Sequence, residues 1–228
     1  MPSGAWKGNE VGGVRRSIRM LSMGPAEIRL DESGEHPRLV GYASVFFDGT
    51  AKTEFRLWED MVERIMPGAF DKTLKAKDDV RALFNHDPSM ILGRTTAGTV
   101  ELETDKRGLK YSIDLGSTTI AEDVVKHIRR GDVSGSSFGF EVTDVEHRME
   151  DKVNIREITG VKLFDVGPVT FPAYEATDVV VRQDEMAEIR SELAEWRAKR
   201  TGSRVNSKRA QRMALTNHTQ ELQSGRKW

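Results

Sequence analysis

The sequence predicts an α+β protein that is mainly β, with short strands and few helices. Residues 27–47 and 100–115 each alternate apolar and polar side chains on both sides of a polar turn, a pattern typical of β-hairpins. Another strand is predicted within residues 134–149, and residues 154–174 predict two more with a turn at Gly160. We therefore expect a mainly antiparallel sheet or a closed barrel with helices around it.

The first half of the chain is predicted to contain two hairpins with a short helix and a strand between them. The first hairpin turns at Asp31–Pro37 and the second at Asp105–Gly108, where glycine, proline and acidic residues favour turns. Asp71 is predicted to cap the short helix, and Val80–Phe84 is predicted to form the strand.

The clearest helix is predicted between the second hairpin and the later strands. Apolar side chains recur at helical spacing within residues 117–130. Thr118 or Thr119 is suited to cap its N-terminus, since a threonine hydroxyl can accept a backbone N–H. Gly131 is predicted to end it, because glycine tolerates the left-handed conformation of a helix C-cap.

Changes in composition divide the chain into three parts. We expect a flexible glycine-rich segment at residues 1–26, one folded domain at residues 27–182, and an interaction tail at residues 183–228. The tail begins with an apolar stripe at helical spacing and continues with the basic run Arg197–Arg212, which contains no acidic residue. The stripe consists of Met186, Ile189, Leu193 and Trp196.

Composition excludes several classes of function. The 228 residues carry a net charge of -1, which gives no case for nucleic-acid binding by the whole chain. The absence of cysteine excludes disulfides, thiolate metal sites and a cysteine nucleophile. There is no phosphate loop, dinucleotide fingerprint, metal-ligand spacing, membrane-spanning run or signal peptide. We expect a soluble intracellular protein that needs no metal or cofactor and has no membrane partner.

One segment suits an exposed nucleophile. Gly131–Phe140 combines small residues, which let a substrate approach the backbone closely, with the three serines Ser134, Ser136 and Ser137. An ordinary helix-to-strand turn would have a similar composition. The residues alone therefore leave both the role of this segment and the choice of serine open.

A serine nucleophile needs a base, and His86 is the best placed of five histidines. It follows a predicted strand, whose end can hold a side chain rigidly, although a simple loop histidine would look the same. His36 and His147 lie in predicted loops, His218 lies in the tail, and His127 lies on a predicted helix between basic residues.

A base also needs an acceptor to orient it, and Asp165 is the candidate. It interrupts an otherwise apolar predicted strand, where a carboxylate must either face solvent or have a partner. The exposed face of an edge strand is the alternative explanation.

Taken together, these segments resemble the prohead (capsid maturation) serine proteases of tailed phages, which are related to the herpesvirus assemblins. The resemblance covers roughly Glu27–Arg182 and depends on several pieces in the family's order. The pieces are Gly41–Phe46, Glu63–Phe70, Asn85–Asp87 with Leu92–Arg94, Gly135–Phe140, and Leu163–Val166 with Pro168–Val169 and Pro172–Ala173.

The resemblance implies an assemblin-like β-barrel surrounded by a few helices. It implies Ser137 as nucleophile, His86 as base and Asp165 as the third member of the triad. Backbone N–H groups at Gly135–Ser137, including those of Gly135 and Ser136, are candidates for the oxyanion hole, together with the Arg94 side chain.

The resemblance also implies a place of action and partners. We expect an endopeptidase that cleaves scaffold or capsid-protein extensions, and itself, in the cytoplasm of the bacterial host and the interior of the immature capsid. Its partners would be the major capsid protein with its scaffolding domain and a second copy of itself.

Two other functions fit parts of the chain. A non-catalytic capsid assembly or scaffolding protein would have the same fold and use the tail to bind a partner helix. A nucleic-acid-binding module would use Arg197–Arg212, and its binding would weaken with salt and disappear when the tail is removed.

Overall fold

A computed structural model describes residues 28–171 and 186–200, together with the backbone of Arg19–Leu21. The chain divides into two compact units, Met1–Val181 and Arg182–Trp228. Most of the predicted N-terminal segment and most of the predicted basic tail lie outside the described residues. The predicted boundaries of the three parts stay a prediction.

The described residues contain eleven strands and three α-helices. The strands are β1 Arg19–Leu21, β2 Arg29–Asp31, β3 Arg38–Val45, β4 Phe55–Trp58, β5 Met61–Ile65, β6 Arg81–Leu83, β7 Ile91–Arg94, β8 Val100–Thr104, β9 Gly108–Asp114, β10 Gly135–Glu150 and β11 Val153–Val169. The helices are α1 Asp71–Ala76, α2 Thr119–Arg130 and α3, residues 186–200.

The strands form two sheets. The larger has the order β1-β10-β11-β5-β4, and β6 pairs with both β11 and β7. The smaller is antiparallel, with the order β2-β3-β9-β8. In the larger sheet β11 runs parallel to β5 and to β6, and the other pairs are antiparallel. The α+β, mainly β class is confirmed.

Neither sheet closes into a barrel within residues 28–171. Closure requires every strand to pair on both sides, whereas β1, β4 and β7 are edge strands of the larger sheet and β2 and β8 are edge strands of the smaller one. The two sheets instead share one apolar core. The prediction of a closed barrel was therefore wrong.

The long hairpin of β10 and β11 determines where the candidate site lies. Its turn residues, Asp151 and Lys152, both have positive φ, as a tight two-residue hairpin turn requires. The ladder pairs Ser137 with Gly167 and Gly139 with Asp165. Two segments far apart in sequence thus come into fixed register.

Alternation along β10 separates its core face from its site face. Phe138 and Phe140 are fully buried and stack with ring centroids 4.5 Å apart, and Phe70 packs edge-on against Phe138. Residues that alternate with these phenylalanines lie on the other face of the strand. The aromatic packing therefore directs Ser137 and Gly139 away from the core.

Helix α2 follows its sequence signals. Thr118 Oγ1 accepts the backbone N–H of Ala121, and Gly131 ends the helix with a φ of 79°. Helix α1 differs in one detail, since Phe70 occupies its N-cap and Asp71 is its first residue. Both predicted helices are confirmed, as are the hairpins formed by β2 with β3 and β8 with β9.

The predicted turn at Gly160 was wrong, because β11 runs without interruption from Val153 to Val169. Gly160 lies across from Asp144, and a Cβ there would stand 2.2 Å from Asp144 Oδ2. The glycine thus accommodates a neighbouring side chain within a strand.

The predicted terminal segments are partly structured. Arg19–Leu21, which was assigned to the flexible N-terminal segment, pairs with β10 as an edge strand. Helix α3 contains the predicted apolar stripe, in which Ile189 and Leu193 are buried. The helix includes Arg200, so its described part contains the first residues of the basic run Arg197–Arg212. No helix in the described ranges has both the length and the apolar character that a bilayer crossing requires.

Candidate active site

Three side chains from three strands or strand ends form one hydrogen-bonded chain. His86 Nε2 lies 2.7 Å from Ser137 Oγ. His86 Nδ1 is hydrogen-bonded to Asp165 Oδ1. Ser137 is 4% exposed, and the side chains of His86 and Asp165 are 9% and 10% exposed, so the hydrogen bonds are largely shielded from water. The three residues singled out from the sequence therefore meet at one point.

The chemistry of these groups determines the direction of the hydrogen bonds. An ionised carboxylate only accepts, so His86 Nδ1 must carry the hydrogen in its bond to Asp165. The other ring nitrogen of a neutral imidazole is then an acceptor, and it receives the Ser137 hydroxyl. This arrangement can remove a proton from a serine as its oxygen attacks a carbonyl.

The structure distinguishes among the three candidate serines. Ser136 lies on the opposite face of β10, fully buried, and its hydroxyl donates to Tyr111 Oη at 3.0 Å or to the Gly167 carbonyl at 3.2 Å. Ser134 is exposed and precedes β10. Among the three, Ser137 is the serine hydrogen-bonded to His86.

His86 lies in a turn between β6 and β7 with an unusual backbone. Asn85 and His86 have φ values of 54° and 57°, a left-handed conformation that costs most residues roughly 1–2 kcal/mol and that asparagine tolerates better than most. The turn is stabilised by bonds from Asp87 N to the Phe84 carbonyl and from Phe84 N to the Met90 carbonyl. Such local strain is typical of functional positions that neighbouring structure over-determines.

Two glycines that were not predicted to belong to the site create its space. A Cβ on Gly139 would stand 2.1 Å from Asp165 Oδ2, and a Cβ on Gly167 would stand 2.0 Å from the Leu83 carbonyl. Gly139 therefore leaves room for the carboxylate, and Gly167 lets the end of β6 approach β11. The alternation in Ser137–Phe140 was a signal for Gly139, since it puts that glycine on the face of Ser137.

Arg94, a candidate for the oxyanion hole, is engaged by a carboxylate. Its Nε and one terminal nitrogen donate to Asp79 at 2.7 and 2.6 Å. Hydrogen bonds from Arg94 hold the pKa of Asp79 well below its usual range. The guanidinium is thus bound to Asp79, the residue two positions before β6. A role for Arg94 at an oxyanion stays a prediction.

The other histidines occupy different parts of the fold. His36 lies in the exposed turn between β2 and β3, and His127 on α2 has Asp132 Oδ2 3.2 Å from its Nδ1. His147 lies near the far end of β10, opposite Arg156. His218 is outside the described residues. His86, and not His36, His127 or His147, is the histidine hydrogen-bonded to Ser137.

The hydrogen-bonded serine, histidine and aspartate have the arrangement that serine peptidases use. The family model described as caudovirus prohead serine protease matches residues 25–192, which is most of the chain. The chain belongs to this family and is a serine peptidase of phage capsid maturation. That assignment favours the enzyme over a non-catalytic assembly protein.

One similarity to a solved structure accompanies the family assignment. The capsid assembly protease gp21 of bacteriophage T4 matches with 13% sequence identity and a TM-score of 0.44. The match covers 70% of this chain and 100% of the T4 chain. A comparison with curated protein sequences gives no match.

Proposed function

We propose that the chain is a prohead maturation endopeptidase with Ser137 as nucleophile, His86 as general base and Asp165 as the residue that orients His86. One observation carries this proposal: the unbroken chain of hydrogen bonds from the Ser137 hydroxyl through His86 to the Asp165 carboxylate. Each atom in it already has the role that acyl transfer requires.

The proposed reaction has two halves. Ser137 Oγ attacks a peptide carbonyl while His86 Nε2 takes its proton, and His86 then gives that proton to the departing amine. Water, deprotonated by the same nitrogen, then attacks the acyl carbonyl, and His86 returns that proton to Ser137 Oγ as the carboxylic acid product departs. Asp165 keeps the hydrogen on Nδ1 throughout and stabilises the imidazolium that forms in each half.

The oxyanion of each tetrahedral intermediate needs donors close to Ser137. We assign this role to those backbone N–H groups of Gly135–Ser137 that do not point toward β11 in the ladder, because this segment carries the nucleophile. Gly135 has no side chain to obstruct an approaching carbonyl. Arg94 is held by Asp79 through two of its three guanidinium nitrogens, and its part in the oxyanion hole stays a prediction.

The proposed substrates are extensions of the capsid protein or its scaffolding domain, and the enzyme's own chain. The family's role in prohead maturation supports this proposal and a site of action in the host cytoplasm and the immature capsid. Helix α3, with its apolar stripe, is the proposed contact with a partner helix. Nucleic-acid binding through Arg197–Arg212 stays a prediction that rests largely on residues outside those described.

The proposal is tested by co-expressing the enzyme with the capsid protein and measuring fragment masses. Wild type should process the capsid protein, whereas Ser137→Ala should leave it intact while remaining folded. Ser134→Ala is the matched control, since it removes an exposed neighbouring hydroxyl and should process normally. Normal processing by Ser137→Ala, or loss of processing in Ser134→Ala alone, contradicts the assignment.

A further inference from the structure

We propose that Asn85 is a positioning residue that holds His86 over Ser137 by fixing the turn after β6 to the end of β11. The inference rests on the proposed role of Ser137, His86 and Asp165, and it goes beyond those three residues. Asn85 does not contact Ser137, so its effect is transmitted through His86.

Three hydrogen bonds connect Asn85 to the end of β11. Its backbone N–H donates to the Pro168 carbonyl at 3.1 Å. Its side-chain Oδ1 accepts the backbone N–H of Thr170 at 2.8 Å, and its Nδ2 donates to Thr170 Oγ1 at 3.1 Å. One residue thus uses its main chain and both ends of its amide on two residues of the same strand end.

These hydrogen bonds fix the position of His86, which the pairing of β10 with β11 does not determine. The ladder between β10 and β11 already determines the relation between Ser137 and Asp165. His86 is different, because it follows β6, which ends at Leu83, and lies in a turn. A turn of this kind needs its own attachment to hold an imidazole within hydrogen-bond distance of two partners.

The chemistry of asparagine fits both requirements at this position. Asparagine tolerates the left-handed backbone better than most residues, and Asn85 adopts φ 54° directly before His86 at 57°. Its short amide also offers a donor and an acceptor at a fixed separation. Glycine would satisfy the backbone requirement alone, which allows the two contributions to be separated by mutation.

The decisive comparison uses Asn85→Gly, which retains the backbone freedom and removes both amide bonds. We expect kcat on a peptide spanning the mapped cleavage site to fall roughly 10- to 100-fold, with KM changed less than about twofold, because small misplacement of a catalytic group costs about this much. The rate of Ser137 labelling by a fluorophosphonate should fall by the same factor. Lys77→Gly is the matched control, since Lys77 also has a left-handed φ, 51°, at the end of α1. It should react like wild type.

Variants of Thr170 test the same contact from the other side. Thr170→Val removes the Oγ1 acceptor and should lower kcat, whereas Thr170→Ser keeps the hydroxyl and should restore it. The double variant Asn85→Gly, Thr170→Val should be no slower than Asn85→Gly alone, because the hydrogen bond that Thr170→Val removes is already absent in Asn85→Gly. If Asn85→Gly does not fold, the Thr170 pair decides the matter.

The outcomes separate this inference from the proposed function. Failure of fluorophosphonate to label wild-type Ser137 would contradict the proposed function itself. Labelling of wild type combined with unchanged kcat in Asn85→Gly, or in a folded Thr170→Val, would overturn the positioning role. A rise in KM at constant kcat would also overturn it, since that result would indicate a contact with substrate.

Discussion

Gly139 lies directly across the β10–β11 ladder from Asp165, on the same face of the sheet as Ser137. Because a Cβ on Gly139 would stand 2.1 Å from Asp165 Oδ2, the space that the carboxylate occupies exists only while residue 139 is glycine. The strand that carries the nucleophile therefore also accommodates the acid.

Gly139→Ala should reduce activity strongly without unfolding the protein. The added methyl group must displace the carboxylate from His86, and we expect kcat/KM to fall by roughly two to four orders of magnitude, approaching the loss of the acid's function. Thermal melting and kcat/KM measure the two effects separately. Gly34→Ala is the control, because a Cβ there meets only an ordinary contact at 3.5 Å. Wild-type activity in Gly139→Ala would show that the carboxylate position is not critical.

Asp165→Asn should also be severe. An amide can donate to His86 Nδ1, which would move the imidazole hydrogen to Nε2 and leave no acceptor for the Ser137 proton. We expect kcat to fall by about four orders of magnitude, as in the corresponding change of a model serine protease. Asp123→Asn, an exposed carboxylate on α2, should have no effect. Processing by Asp165→Asn at the wild-type rate would show that Asp165 is not the third member of the triad.

The buried Tyr111 hydroxyl should make the free energy of unfolding depend on pH in alkaline solution. Burial raises the pKa of the Tyr111 hydroxyl well above its usual value of about 10, so the neutral form is favoured more strongly in the folded state. The contribution of neutral Tyr111 to the free energy of unfolding is fully present below about pH 10. It is lost as the pH rises further, because the unfolded state ionises first. Tyr111→Phe removes that dependence while the two other tyrosines of the chain remain.

We expect Tyr111→Phe to be less stable than wild type near pH 8 by about 1 kcal/mol, because the Ser136 hydrogen bond is lost. The difference should shrink above pH 10 by up to about 1.4 kcal/mol per pH unit. Urea unfolding at pH 8, 10 and 11 measures it. A difference in free energy of unfolding between wild type and Tyr111→Phe that stays constant across this range would contradict the prediction.

Self-trimming is predicted in residues 183–228. A peptidase binds its substrate in an extended conformation, so the cut should lie outside α3, residues 186–200. Intact-mass measurement should find a shortened wild type and a full-length Ser137→Ala protein. Equal full-length masses under conditions in which wild type cleaves the capsid protein would rule out self-trimming. Deleting residues 183–228 should leave peptide cleavage intact and reduce incorporation into proheads.

Local signals predicted the local elements. Thr118 and Gly131 mark the ends of α2 because capping depends on residues within one helical turn. In contrast, the glycine at position 160 looked like a turn, and its actual role depends on Asp144 of the neighbouring strand. The predicted closure of the sheet into a barrel was wrong for the same reason, since no local pattern specifies which strands remain at the edges of a sheet.

In the candidate site, too, local sequence was less informative than contacts between distant segments. The residues alone left the choice among Ser134, Ser136 and Ser137 open, and the family resemblance selected one of them. The register of β10 against β11 then accounts for the difference physically, because it directs Ser136 toward Tyr111 and Ser137 toward His86. The supporting role of Asn85 was not predictable, since its contact with Thr170 spans 85 positions of sequence.

The central claim is that His86 activates Ser137, and peptide mapping after fluorophosphonate labelling tests it most directly. The reagent forms a stable phosphonyl ester with an activated serine, releasing fluoride. We predict an adduct on Ser137 in the wild type, with labelling reduced by at least about a thousandfold in folded His86→Ala. An adduct on Ser136 or Ser134, or labelling of Ser137 that is as fast in His86→Ala as in wild type, would contradict the account.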